Sequence, residues 1–112
     1  MNDTWTKELP FAITVCDKDG KVIEMNERSI KTFEKSGGAK LIGQSLFGCH
    51  PGKSADKLAA LLLAGESNCY TIEKAGIHKM IYQSPWFENG VYMGFVELSF
   101  VIPAQVPHFV RS

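Results

Sequence analysis

The sequence is poor in extremes, and each missing feature removes a class of function. Lys and Arg together number 12 and Asp and Glu 12, so the 112 residues carry no formal net charge. Phosphate recognition asks for a basic excess on one face, and nucleic acid is therefore not an expected partner. Cysteine is sparse and odd in number: Cys16, Cys49 and Cys69 are far apart, which argues against a disulfide framework and suits reduced thiols. No C-x-x-C or H-x-x-x-H spacing occurs, so no metal centre is expected. The longest apolar run, Leu58 to Ala64, is too short to span a bilayer, and the opening MNDTWTKELP lacks the basic region and apolar stretch of a signal peptide. The expectation is a cytoplasmic chain with no membrane contact. Its length allows one core and not a catalytic domain beside a regulatory one.

What is present is concentrated first in Leu9 to Phe33. Phe11, Ile13 and Val15 alternate with Ala12, Thr14 and Cys16, the period of a strand. Asp17-Lys18-Asp19-Gly20 supplies a reversal, because Asp side chains bond nearby backbone and Gly accepts positive φ. Lys21 to Met25 returns as a second strand. Asn26 is a good N-cap, Glu27 sits where the helix dipole favours an anion, and Met25 and Ile30 occupy the staple positions. The helix so begun should run to Ser36-Gly37-Gly38, followed by one turn and a connector through Leu46 and Phe47. A second helix is expected after Pro51 and Gly52, capped by Ser54 and striped with Leu58, Leu61 and Leu62, ending at Gly65. The rest reads as three strands: Asn68 to Lys74, Ile77 to Phe87 and Val91 to Ile102, separated by Ala75-Gly76 and Glu88-Asn89-Gly90.

This order resembles a PAS domain, in which an apolar strand, a D-x-D-G turn, a second strand and an Asn-led helix recur together. The resemblance covers residues 9–102, with residues 1–8 as a lead-in and 103–112 as a tail. It is closer to a subgroup with a CHP-x-K-S segment before the long helix, here Cys49 to Ser54 after Gly43. The resemblance implies an α+β fold: a five-stranded antiparallel sheet in order 2-1-5-4-3 with helices packed on one face. It also implies a sensor or signalling domain that binds a small molecule or a protein partner and is not an enzyme. No output domain is evident in the chain. The alternative is a ligand-free homodimerisation or protein-interaction module.

The candidate chemistry is modest. GCHPGKS ends like a phosphate loop but has three residues between its glycines where four are needed, and no parallel strand precedes it. An anion held at the helix start by Lys53 and Ser54 is the weaker version, beside the plainer reading of a capped helix with a solvent-facing Lys. Cys49 and His50 are adjacent, so their side chains rarely face each other as nucleophile and base would. Some PAS domains bind haem through one His, and His50 or His78 would be that ligand. A light-driven flavin adduct is disfavoured, since counting from Gly43 places Leu46 where the reactive Cys belongs. An enzyme would need a perturbed acid or base in the pocket, for which the strands offer Glu97 and His78. A ligand cavity would draw on Leu46, Phe47, His50, Leu58, Leu62, Tyr70, Tyr82, Ser84 and Phe95, together with Trp86 and Tyr92. The same residues could simply fill a core, and strand parity does not choose, because the last strand is apolar on both sides. That two-sidedness points to a covered outer face, hence a homodimer through the sheet or a dock for Trp5 and the tail.

Overall fold

The computed structural model describes residues 4–45, 60 and 64–112. Leu46, Phe47, Cys49, His50, Lys53, Ser54, Leu58 and Leu62, with the expected Leu-striped helix and the CHP-x-K-S segment, lie outside the described residues.

Asp17 makes the first reversal. Its Oδ1 accepts from the N–H groups of Asp19 and Lys21, each at 3.0 Å, and Gly20 takes a φ of 82°. β1 (Ala12–Asp17) and β2 (Val22–Met25) are thereby paired antiparallel, as the turn chemistry predicts. A bulge interrupts them, with Val15 opposite Glu24 and Cys16 opposite Val22. Ahead of β1 a single helical turn, α1 (Thr4–Lys7), forms the lead-in.

Asn26 then caps α2 (Glu27–Thr32), its Oδ1 accepting from the Ser29 N–H at 3.0 Å. This α-helix is shorter than the sequence predicts. A 3₁₀ turn at Glu34–Ser36 replaces its last turn, and Gly37 and Gly38, at φ of 125° and 55°, redirect the chain into a second 3₁₀ turn, Gly38–Leu41. The Gly38 N–H reaches back to the Phe33 carbonyl at 2.9 Å, so tightening the end satisfies a carbonyl that a longer helix would have used.

β3 (Asn68–Lys74), β4 (Ile77–Glu88) and β5 (Val91–Val101) follow as a meander. Both connections are two-residue turns with positive φ at each residue, Ala75 and Gly76 in the first and Asn89 and Gly90 in the second. β5 inserts between β4 and β1, giving one antiparallel sheet in the order β2-β1-β5-β4-β3. This is the expected architecture. Pro85 is tolerated inside β4 because β3 has already ended, its pairing stopping at Asn68 opposite Gln83.

One irregularity in the meander matters for everything on the sheet. Near the turn Phe87 pairs with Tyr92, but beyond it Trp86 pairs with Gly94, so Met93 is an extra residue on β5. Gly94 lies at φ 152°, and a Cβ there would stand 2.0 Å from the Cys16 carbonyl oxygen. Only glycine permits β1 so close to β5. The Trp86 indole crosses this gap and donates to the same carbonyl at 3.0 Å, tying β4 to β1 over the strand between them.

The register sorts the side chains into two faces. Ala12, Thr14 and Cys16 share the helix side with Phe95, Glu97 and Ser99, with Ile81, Gln83 and Pro85, and with Asn68, Tyr70 and Ile72. The Thr14 and Ser29 hydroxyls meet at 2.5 Å where α2 packs on this face. Ile13, Val15, Val96, Leu98, Phe100, Met80 and Tyr82 point the other way, and Phe11 stacks on Phe100 with ring centroids 4.7 Å apart. Trp5 is 69% exposed, and at the end of the tail Phe109 and Val110 are 67% and 90% exposed.

Candidate functional site

The helix-side face buries polar groups where an ordinary core would bury hydrocarbon. Thr14, Ser29, Gln83, Glu97 and Ser99 are all buried, around Cys16 and Phe95, which are fully so. Buried polar atoms must find partners, and here they find one another. Asn68 Nδ2 donates to Gln83 Oε1 at 3.1 Å, and Gln83 Nε2 donates to Glu97 Oε1 at 2.8 Å. Three neighbouring strands thus carry an amide relay ending on a carboxylate in β5.

Glu97 sets the electrostatics of this face. No Lys, Arg or His pairs with it among the described residues. Burial, then the Glu97 charge, raises the Tyr70 phenol above its ordinary value. Burial pushes the Cys16 thiol up to about 12, with Glu97 and Asp17 adding to the effect. Cys16 is therefore a neutral thiol at physiological pH and not a nucleophile. The face offers acceptor oxygens, neutral amides and a phenol beside the Phe95 ring. These are groups that could orient a polar molecule, and among the described residues of this face none is activated as a nucleophile.

No protein-family model matches the chain, and no curated protein sequence matches it significantly. Solved structures do. The PAS domain of BvgS from Bordetella pertussis superposes with a TM-score of 0.66 at 18% identity, over 90% of this chain and 83% of that one. The fold is PAS-like. A C-terminal domain from Streptococcus mutans gives a TM-score of 0.69 at 20% identity, covering 87% of this chain and 79% of its own. The Aer2 receptor of Vibrio cholerae, described as a dual PAS-heme oxygen sensor, gives 0.63 at 12% identity, covering 83% and 95%.

In this PAS-like sheet the residues named from sequence are divided by register. Tyr70 and Phe95 share the helix-side face with Glu97. Tyr82 and Ser84 are on the opposite face, paired across from Leu98 and Val96, and so cannot line one cavity with Phe95. His78 is also on that opposite face, exposed, with Nε2 2.8 Å from the Glu73 carboxylate. It therefore does not share a face with Tyr70, Phe95 and Glu97. Trp86 serves the β4–β1 tie, and Tyr92 packs edge-on against Phe87 at the hairpin end. Among the described residues no group of three or more His, Cys, Asp or Glu could hold a metal ion, and no helix is long and apolar enough to cross a membrane.

Gln83 and Asn68 are the members of the site that sequence reasoning did not find. Counting back from the Asn89-Gly90 turn puts Gln83 opposite Val96 and on the other face from Glu97. The extra residue at Met93 shifts the count by one and brings the two together. The available signal was Gly94 within an otherwise apolar strand, a position that favours a bulge or a close backbone approach.

Proposed function

We propose that this chain is a PAS-type sensor domain that holds a small, partly polar organic molecule against the helix side of its sheet and passes the signal to a separate protein. Its role is binding, with no catalytic step. The relay from Asn68 through Gln83 to Glu97 carries the reading. A buried carboxylate without a cationic partner among the described residues is costly unless hydrogen bonds satisfy its oxygens. A binding site gives that cost a use: Glu97 accepts hydrogen bonds from the ligand, the amides fix its orientation, and Phe95 and Tyr70 supply contact area. The signal leaves through the apolar outer face, where Val15, Met80, Leu98 and Phe100 are half-buried and available to a protein surface. Ligand-linked changes in α2 reach this face through the Thr14–Ser29 contact and β1.

Native mass spectrometry of protein purified without denaturation from its expression host tests the reading. Wild type is expected to retain an organic mass. Glu97→Gln keeps the shape and loses the charge, and is expected to retain at least about tenfold less, the equivalent of roughly 1.4 kcal/mol. A wild-type protein that carries no bound mass under these conditions overturns the ligand reading and leaves a ligand-free interaction module.

A further inference from the structure

The two edges of the sheet are finished differently. Beside β2, the Val22 N–H donates to the Gln44 carbonyl at 2.8 Å and the Gly43 N–H to the Val22 carbonyl at 2.7 Å, with Lys21 bridged to Ser45. That edge is closed. Among the described residues nothing pairs with the far side of β3.

The main-chain groups on that open edge can be assigned. A two-residue turn with both φ values positive makes its flanking residues, Lys74 and Ile77, a hydrogen-bonded pair. The register then runs without a shift to Asn68 opposite Gln83. Lys74, Ile72, Tyr70 and Asn68 consequently direct their N–H and C=O groups to β4, and Cys69, Thr71 and Glu73 direct theirs outward. Natural edges are blunted by proline, a bulge, a mid-strand lysine or a cover. β3 carries no proline, bulge or lysine from Asn68 to Ile72 and no cover among the described residues, and its apolar side chains Tyr70 and Ile72 are 39% and 43% exposed.

We infer that β3 pairs with β3 of a second copy of this chain, antiparallel about a two-fold axis at Thr71, joining the two sheets edge to edge. In this register Thr71 faces its own counterpart, Cys69 faces Glu73, Tyr70 faces Ile72 and Asn68 faces Lys74. All seven residues of β3 are paired, no like charges are opposed, and the outward groups form about six main-chain hydrogen bonds between the copies. Moving the axis to Glu73 sets two carboxylates against each other. Moving it to Ile72 leaves Asn68 and Cys69 beyond the partner strand and places Lys74 against Tyr70. An isologous contact closes on itself, so assembly stops at two copies. Both sheet faces stay free, and the pairing does not depend on the ligand reading.

Sedimentation velocity on the full chain is expected to show a dimer. Thr71→Lys and Thr71→Glu, both at an exposed position, each place like charges across the axis and should weaken the dimer at least tenfold, while an equimolar mixture of the two should restore it. Thr71→Cys in a Cys69→Ser background should form a disulfide-linked dimer under mild oxidant, since Cα atoms of a directly opposed hydrogen-bonded pair are about 5.5 Å apart, within disulfide range. Cys69→Ser alone is the control. A monomeric wild type overturns the inference. So does a dimer that tolerates Thr71→Lys and does not crosslink through Thr71→Cys, which would place the contact on another surface.

Discussion

Asn26 shows how much one side chain can carry. Its Oδ1 accepts from Ser29 and from Ile13, at 3.0 and 2.9 Å, and its Nδ2 donates to the carbonyls of Thr6 and Phe11, at 2.9 and 2.8 Å. The residue therefore caps α2 and also fastens α1 and β1 to it. Asn26→Asp separates the two roles. Aspartate caps a helix as well as asparagine does, yet it would turn an acceptor toward two carbonyl oxygens. The variant is expected to lose about 2–4 kcal/mol in urea denaturation, against a few tenths for a cap-only residue. Cys16 gives a second test at this scale. Its folded pKa is raised from 9.0 to about 12, chiefly by burial, so the unfolded chain gives up its proton first. The stabilisation is fully present below pH 9.0 and is lost as pH rises toward about 12, by up to about 1.4 kcal/mol per unit. Denaturation midpoints across that window should fall less steeply for Cys16→Ala than for wild type.

Among the elements, the β4–β5 hairpin is the one whose regularity misleads. Its turn is legible from Asn89-Gly90, and the strand limits agree with the sequence to within a residue. The pairing beyond the turn is not legible, because one extra residue on β5 reverses which side chains share a face. Gly94 is what permits that bulge to lie against β1. Gly94→Ala would push a methyl group into the backbone of Cys16 and Asp17, which the flanking ladders hold in place. It is expected to destabilise the domain by about 3 kcal/mol or more, well above the usual loss of about 1 for Gly→Ala at a positive φ. The Trp86 emission should also shift to longer wavelength as its bond to the Cys16 carbonyl is lost, a change that Trp5, already exposed, does not share. Helix α2 departs from its expected length for a related reason. Paired glycines mark where a helix stops and leave open how its last turn is wound.

Across the described residues, the helix side of the sheet mixes buried apolar residues (Ala12, Cys16, Ile81, Phe95) with buried polar ones. The side that meets α2 carries Glu97, Gln83 and Thr14, and the opposite side carries Ile13, Val15, Leu98 and Phe100. The buried polar groups on the helix side are what the proposed ligand reading rests on. The edges are asymmetric as well: β2 is closed by residues 43–45, and β3 is left able to pair.

Element type and the first turn and cap follow from the sequence, because they rest on chemistry within a few residues: carboxylates that bond nearby N–H groups, glycines at positive φ, an asparagine before a helix; the strand order is expected only from the resemblance to PAS domains. Tyr70 and Phe95 were recognisable from sequence as cavity or core candidates, without a face. The meeting of Asn68, Gln83 and Glu97 was not, and neither was the placement of Tyr82, Ser84 and His78 on the far face. Those outcomes depend on contacts between strands distant in sequence, and with a pleat of period two a single inserted residue exchanges the faces. That exchange depends on how closely β1 can approach Gly94, a distance set by packing across the sheet.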